Sequence, residues 1–278
     1  MSEILEQQPR LVEPAERDSV ELVQITDCHI FAGADEKLRG LNTRRSFETV
    51  KAAVADSDDE PDILLATGDL SQDGSADSYR YLARQFDELG VPTFWLPGNH
   101  DDIDVLNRNF TGKQIHTAKQ ILAGCWHIVM LDSTIRGEVY GRVSEVQLAF
   151  LDTALQRYAD RHALVCLHHQ ALETGSEWID NKGLRDAEQL RARLAQHRNI
   201  RAVLWGHVHQ ETHRSIDGVE WMSTPSSCIQ FKPGSKEFAL GEESPGYRHL
   251  RLNQDGSLET TVHRIEGFDL SMDYSTQD

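Results

Sequence analysis

The stretch Leu96-Pro97-Gly98-Asn99-His100-Asp101 decides the fold class. It follows a β-rich run, residues 91–95, and precedes a predicted helix. Gly98 allows a sharp backbone turn where the strand ends, so Asn99 and His100 project from the loop at its carboxyl edge. In open α/β sheets that edge is where ligands bind. An Asn-His pair alone is usually an ordinary turn, so its meaning depends on the rest of the chain.

Four further strand-like runs end in polar side chains that can bind a metal ion. The runs are residues 20–26, 62–67, 163–167 and 200–205, and the side chains that follow them are Asp27, His29, Asp69, His168, His169, His207 and His209. Each pattern also has an ordinary explanation as turn or surface chemistry. Five coincidences at the same kind of position are better explained by one shared site at the edge of a sheet.

The mixture of donor atoms indicates how many ions this site holds. Carboxylate and amide oxygens suit hard ions such as Mg²⁺ or Mn²⁺, whereas imidazoles suit Fe, Zn or Mn. Two Asp, one Asn and four His are too many for one ion that must keep open positions. The set therefore predicts two divalent ions with a bridging carboxylate, an arrangement that serves displacement at phosphorus. Fe and Mn are favoured, with Mg and Zn as alternatives.

Strand-like and helical runs alternate along the chain before two terminal hairpins. A further strand is predicted at 126–131, helices at 42–56, 75–89, 144–158 and 186–197, and hairpins around Asp217-Gly218 and between 247–252 and 259–265. Ser75 and Asp186 are predicted helix caps, and Ser144 with Gln147 a capping box. This order predicts an α/β layered fold with mixed sheets.

The domain prediction is a single domain over residues 20–266. Residues 1–19 are predicted to be a polar N-terminal tail and residues 267–278 an acidic C-terminal tail. The N-terminus has no basic and apolar leader pattern, and no apolar run is long enough to span a membrane. A cytoplasmic protein is therefore expected.

Charge and cysteine usage exclude several classes of function. The net charge is −17 over 278 residues, which disfavours nucleic-acid binding because that binding draws on basic surface. An anionic substrate stays compatible, since bound cations reverse the local charge. The four cysteines form no CxxC pair, so disulfides and a cysteine-based zinc site are not expected. Cys125 and Cys166 are predicted to be buried.

Five sequence blocks resemble the signature of the calcineurin-like metallophosphoesterases. They occur in the family's order over roughly residues 20–210 and are Asp27-x-His29, Gly68-Asp69, Gly98-Asn99-His100-Asp101, His168 and Gly206-His207-x-His209. A narrower resemblance, to the class III bacterial 3′,5′-cyclic AMP phosphodiesterases, covers about residues 20–265. It is carried by Gln24-Ile25-Thr26-Asp27, Ala66-Thr67-Gly68-Asp69-Leu70, Gly206-His207-Val208-His209-Gln210 and the stretch from Ser223 to Phe231.

The resemblance implies a four-layer αββα sandwich with two mixed β-sheets and a site residue set. One metal would be held by Asp27, His29, Asp69 and His209, and the other by Asp69, Asn99, His168 and His207, with Asp69 as the bridge. The implied catalytic residue is His100, which approaches the phosphate. The implied substrate-binding residues are His29, Asp69, Asn99, His100 and His209. Cys28 departs from the family, where Ser or Thr is more usual.

The implied reaction is hydrolysis of 3′,5′-cyclic AMP to 5′-AMP by a metal-activated hydroxide. The alternatives are a phosphomonoesterase, a 2′,3′-cyclic nucleotide phosphodiesterase, a protein phosphatase and a non-catalytic scaffold. The last is disfavoured because every ligand position and His100 are present. The expected partner is a small cyclic nucleotide, without nucleic acid or membrane, and a homodimer is left open.

Two residues near the expected site have open or secondary roles. His169 is expected to point away from the metals, because neighbouring side chains in a strand lie on opposite faces. Trp178 fits either stacking on a nucleobase or anchoring its own loop.

Overall fold

The computed structural model describes residues 7–15, 17–270 and 272, and these residues form fifteen strands and six helices. The strands are β1 (Arg10–Val12), β2 (Ser19–Ile25), β3 (Lys37–Leu38), β4 (Leu41–Asn42), β5 (Ile63–Thr67), β6 (Thr93–Leu96), β7 (Ile115–His116), β8 (Gln120–Ala123), β9 (Trp126–Met130), β10 (His162–Cys166), β11 (Ile200–Trp205), β12 (Thr212–Ile216), β13 (Val219–Ser223), β14 (Gly246–Asn253) and β15 (Leu258–Arg264). The helices are α1 (Thr43–Ala55), α2 (Ala76–Asp87), α3 (Ile103–Asn109), α4 (Glu145–Arg157), α5 (Glu177–Asp180) and α6 (Ala187–Leu194).

Two mixed sheets form the centre of the fold. The first has the order β1-β8-β9-β10-β11-β13-β12, with β9, β10, β11 and β13 parallel. The second has the order β15-β14-β2-β5-β6-β7, with β2, β5, β6 and β7 parallel. Parallel strands buried on both faces read as continuous apolar runs, as Ile63–Thr67 does. The predicted strands and both predicted hairpins are confirmed.

Three buried apolar clusters separate four layers. One lies between the sheets, where Leu65 and Phe94 from the second sheet and Ile128 and Leu164 from the first pack together. Another packs α1, α2 and α3 on the outer face of the second sheet, and a third packs α4 and α6 on the first. Helices thus cover both faces of a two-sheet core, so the predicted αββα sandwich is confirmed.

The helix caps follow the sequence only in part. The Ser75 hydroxyl accepts from Ser78 N at 3.1 Å, as predicted. The Ser144 hydroxyl accepts from Gln147 N at 3.4 Å, but the reciprocal half of the capping box is wrong. Gln147 Oε1 instead accepts from Asp132 N at 3.3 Å, because the loop after β9 brings an unpaired backbone donor to it.

Asp186 is the N-cap residue of α6, but its side chain does not cap the helix. Both of its carboxylate oxygens instead accept from Val143 N, at 3.1 and 3.2 Å. The predicted side-chain cap is wrong because the carboxylate satisfies a donor from the loop before α4.

Both predicted tails contain residues that pack on the fold. Within 1–19, β1 pairs in parallel with β8 and buries Val12, while residues 1–6 and 16 lie outside the described residues. Within 267–278, Phe268, Leu270 and Met272 pack beside Leu41, and residues 271 and 273–278 lie outside the described residues. The limits of a single domain at 20–266 stay a prediction.

All four cysteines are free thiols. Cys28, Cys166 and Cys228 are buried, but Cys125 is exposed, so its predicted burial is wrong. It lies in the turn between β8 and β9, one residue before the apolar strand β9 begins, so the sheet does not cover it. Burial raises the pKa of the Cys28 thiol well above its usual range, which keeps it protonated.

Among the described residues, no helix has the length and apolar character needed to cross a membrane.

Candidate metal centre

The candidate ligands converge at the carboxyl ends of strands from both sheets. Asp27 and His29 follow β2, Asp69 follows β5, and Asn99 follows β6. His168 follows β10, and His207 and His209 follow β11. The six Asp and His side chains are at most 4% exposed. The structure therefore brings all seven predicted ligands to one edge where the two sheets meet.

One group of ligand atoms gathers around Asp27. Asp27 Oδ1 lies 3.3 Å from His209 Nε2, and His209 Nε2 lies 3.1 Å from His29 Nε2. The Asp27 carboxylate also accepts from His207 N at 3.0 Å, which ties the loop after β2 to the loop after β11. These three side chains can hold one cation.

A second group gathers around His168. His168 Nε2 lies 3.3 Å from Asn99 Oδ1 and 3.4 Å from Asp69 Oδ2. The His207 ring lies beside it, with centroids 5.1 Å apart.

Asp69 lies between the two groups. Its Oδ2 is 3.4 Å from His168 Nε2 and 3.8 Å from His29 Nε2, so one carboxylate oxygen faces a histidine of each group. Its Oδ1 is held by His100 N at 2.9 Å. This is the position that a bridging ligand requires.

The hydrogen bonds on the far side of each ring test whether cations fit here. His209 Nδ1 donates to Ile229 O at 2.7 Å, and His168 Nδ1 donates to Thr67 O at 2.9 Å. A backbone carbonyl only accepts, so Nδ1 carries the proton and a neutral ring presents its Nε2 lone pair to the site. Facing lone pairs and carboxylate oxygens repel each other unless positive charge lies between them. The residues therefore fit bound cations.

The titration behaviour of the chain without metal agrees with this. Burial lowers the pKa of His29 to about 3, so that ring is neutral and able to bind metal. Burial opposes charge on His168 too, but the Asp69 carboxylate prevails and raises the pKa of His168 to about 9. Burial opposes charge on Asp69 as well, yet His168 holds the pKa of Asp69 well below its usual value. Without metal, a proton on His168 therefore provides the positive charge that balances Asp69. A bound cation would take over this role and release the proton.

Five candidate ligands occupy the left-handed region of backbone conformation. They are Asp27, His29, Asp69, His207 and His209, with φ between 46° and 65°. Asp and His tolerate this region better than most side chains, but each such residue costs about 1 kcal/mol or more. Strain of this kind clusters at functional sites, so these turns are more than ordinary loop connections.

Gly98 permits the close approach of the loop after β6. A Cβ atom at this position would collide with the backbone nitrogen and Oδ1 of Asp69. Without it, His100 reaches Asp69 through its backbone, and its ring lies 4.9 Å from the His29 ring. His100 is exposed to the cleft, unlike the six Asp and His ligands.

Gln72 contacts a candidate ligand and was not singled out from the sequence. Its Oε1 accepts from His29 Nδ1 at 2.6 Å, which fixes the ring so that Nε2 faces the site. Gln72 lies three residues after Asp69 in the same loop. This proximity to a candidate ligand is the one feature of the sequence that could have indicated its role.

Gln72→Ala is expected to weaken metal binding about 10–100-fold, because the partner that orients a ligating histidine is removed. Gln72→Glu keeps an acceptor and is the matched control, expected to retain near-normal affinity. Titration of the metal-free protein with Mn²⁺ measures the effect. Equal affinities for Gln72→Ala and the unaltered chain would contradict this role.

Asp101 was quoted in the motif without a role. It accepts from the backbone nitrogens of Gly98, Leu70 and Ser71 at 2.9–3.2 Å and from Tyr79 Oη at 3.0 Å. Burial, helped by nearby Asp69, raises the pKa of Asp101 to about 6. It joins the loops after β5 and β6, which positions two sets of ligands.

His169 does not point away from the site, so that expectation is wrong. Its ring centroid lies 4.7 Å from that of His207 and 5.0 Å from that of His168. Strand alternation does not apply, because β10 ends at Cys166. Both ring nitrogens are already engaged, Nδ1 with Ser133 Oγ at 2.8 Å and Nε2 with Val139 O at 3.1 Å.

The site opens into a cleft of about 310 Å³ with an aromatic wall. Trp178, Phe231 and Phe238 pack with ring centroids 4.9–5.7 Å apart, and Phe231 stacks on His209 at 4.1 Å. Lys182 Nζ lies 4.8 Å from the Trp178 ring centroid. Trp178 both anchors its loop and lines the cleft, so its two proposed roles are compatible.

Comparison with known proteins agrees with this geometry. The calcineurin-like phosphoesterase family matches residues 21–211. The chain belongs to this family. The family resemblance drawn from the sequence blocks is therefore confirmed, and all the candidate ligands lie within the matched residues.

Curated relatives of this calcineurin-like phosphoesterase align over most of its length. The 3′,5′-cyclic adenosine monophosphate phosphodiesterase CpdA of Pseudomonas aeruginosa is 41% identical over 264 residues, which cover 95% of this chain and 96% of that protein. The CpdA of Escherichia coli (strain K12) is 40% identical over 247 residues, covering 88% and 90%.

Solved structures share the family's fold at low identity. A dimetal phosphatase from Danio rerio has a TM-score of 0.60 at 15% identity and covers 89% of this chain and 99% of its own. A purple acid phosphatase from yellow lupin has a TM-score of 0.64 at 15% identity and covers 90% and 52%. At such identity the likeness concerns the fold alone.

Proposed function

We propose that this protein hydrolyses 3′,5′-cyclic AMP to 5′-AMP at a binuclear metal centre. The observation that carries the proposal is the position of Asp69 Oδ2, within 3.8 Å of a histidine from each ligand group. The substrate is inferred from the two CpdA relatives, whose names state cyclic AMP phosphodiesterase activity.

Two divalent ions would be held by seven side chains. Asp27, His29, Asp69 and His209 would bind one ion, and Asp69, Asn99, His168 and His207 the other. Bound ions activate water and neutralise phosphate charge. Fe and Mn are the proposed metals, since the donors mix oxygen with imidazole nitrogen. The strongly acidic chain needs such positive charge to attract an anionic substrate.

His100 is the proposed catalytic residue. Its backbone is fixed by Asp69, while its exposed ring stands over the cleft beside His29. From there the ring can stabilise charge on the phosphate or give a proton to the leaving 3′ oxygen. His29, Asp69, Asn99 and His209 line the same cleft and are proposed to contact the substrate with it.

The aromatic wall would accommodate the nucleoside. Trp178 and Phe238 lie on the same cleft as the ligands, and base-aromatic stacking tolerates any base. Base selectivity is therefore expected to be modest, with cyclic GMP cleaved less well than cyclic AMP. The cytoplasmic location and the homodimer stay predictions from the sequence.

Removal of metal is expected to abolish hydrolysis, and Mn²⁺ or Fe²⁺ should restore it, because water activation depends on the ions. The measurement is chromatography of cyclic AMP reactions before and after treatment with a chelator. A control with Na⁺ at equal ionic strength separates metal loading from salt effects.

The same assay distinguishes the alternatives. A phosphomonoesterase would convert 5′-AMP to adenosine, whereas the proposed enzyme should accumulate 5′-AMP. Metal-loaded protein that leaves cyclic AMP intact but dephosphorylates 5′-AMP would overturn the proposal.

A further inference from the structure

A second group of metal-ligating side chains lies away from the cleft. His249 is on β14, His263 is on β15, and Asp59 is in the loop between α1 and β5. In the hairpin, His249 pairs with Thr261 and His263 with Tyr247, so the two histidines are diagonal neighbours on one face.

This group is set back from the binuclear centre. His249 pairs across the sheet with Val23, which precedes Asp27 by four residues, or about 13 Å of strand. Neither His249, His263 nor Asp59 lines the cleft.

The spacing of the three side chains suits a bound ion. Asp59 Oδ2 lies 3.7 Å from His249 Nδ1 and 3.9 Å from His263 Nε2, which is too far for hydrogen bonds. Ligand atoms about 2.0–2.1 Å from a tetrahedral Zn²⁺ lie roughly 3.3–3.4 Å from each other. Histidine–carboxylate pairs in the candidate centre are similarly spaced, at 3.3–3.8 Å.

Two ring nitrogens of this group, His249 Nε2 and His263 Nε2, are buried without a hydrogen-bond partner among the described residues, whereas Asp59 Oδ2 accepts from Ser57 Oγ at 3.2 Å. Such unpaired atoms are rare, because nearly all buried polar atoms are paired. By contrast, His213 Nε2 lies 2.7 Å from Glu220 Oε2 in an ordinary pair.

The charges around the group favour a cation. Glu21 Oε2 lies 2.8 Å from His249 Nε2, although the contact lacks hydrogen-bond geometry. The Arg251 guanidinium lies 2.8 Å from the Glu21 carboxylate and 3.9 Å from the Glu259 carboxylate. With Asp59 there are three carboxylates for this one guanidinium, so negative charge is in excess.

We propose that Asp59, His249 and His263 form a Zn²⁺ site separate from the catalytic centre. Two imidazoles and a carboxylate are a usual zinc donor set, and the fourth position stays open to water. Glu21 lies behind the His249 ring and adds negative charge beside the site. Bound zinc would join the C-terminal hairpin to the loop before β5 and stabilise the folded chain.

Zinc content after equilibrium dialysis tests the site directly. His263→Ala and the isosteric Asp59→Asn should each bind about one Zn²⁺ fewer per chain than the unaltered protein. His213→Ala is the matched control and should bind the same number. Both altered residues are partly exposed, so folding should survive, which circular dichroism checks.

A second measurement separates this site from the binuclear centre. In full-length Asp69→Asn protein, whose catalytic centre is disrupted, added Zn²⁺ should still raise the melting temperature. Adding His263→Ala should remove that rise. Unchanged zinc content in both His263→Ala and Asp59→Asn, or an undiminished rise in the double variant, would overturn the proposal.

Discussion

Asp69→Asn is expected to lose both catalytic ions and to hydrolyse cyclic AMP no faster than metal-free protein. Asp69 Oδ2 faces His168 and His29 at 3.4 and 3.8 Å, so one substitution removes a charged ligand from both ions. The neutral amide keeps the shape of the side chain but not the negative charge that balances two cations. Metal analysis and steady-state rates on the same samples measure the effect.

Two matched substitutions sharpen this test. Asp104→Asn alters an exposed carboxylate whose partner is the surface residue Arg136, and should change neither metal content nor rate. Asp27→Asn should lose one ion and retain the other, since Asp27 belongs to one ligand group. Full activity in Asp69→Asn with two bound ions would contradict the bridging role.

His100→Ala is expected to lower kcat about 10²–10⁴-fold while both ions are retained. The ring is exposed in the cleft, and the backbone bond from His100 N to Asp69 Oδ1 survives the substitution. The chemical group is therefore removed without disturbing the bridge. Rates and metal content of the purified variant together measure the effect.

A competing role for His100 is also testable. A nitrogen of His100 lies within 4.8 Å of ligand atoms of His29 and Asp69, so the ring could serve as a further ligand. In that case metal content would fall in proportion to activity, and added Mn²⁺ would restore much of the rate. Retained metal with a low kcat instead supports a role in the chemical step.

The long elements and the convergence of the candidate ligands could be predicted from sequence because their signals are local. Each parallel strand is a short apolar run that ends in a turn carrying the ligands, as at Asp69. β1 could not be predicted, because three residues between prolines show no periodicity and their burial depends on β8.

The errors near the site have a common cause. Gln72 and Asp101 act through hydrogen bonds to residues that are distant in sequence, and single-chain patterns do not record such pairs. His169 was placed by strand geometry beyond the end of its strand. Asp186 is at the N-cap position of α6, yet its carboxylate accepts a hydrogen bond from Val143 N in another segment.

The position of β14 has a consequence for synthesis of the chain. β14 pairs with β2, and the register that joins Arg248 to Gln24 links residues 224 positions apart. Until the ribosome has released residues 246–253, β2 is an unpaired sheet edge, and such edges invite pairing with other chains. Non-local pairings of this kind also slow folding. The strand that precedes the first candidate ligands is thus completed only by a segment made 224 residues later.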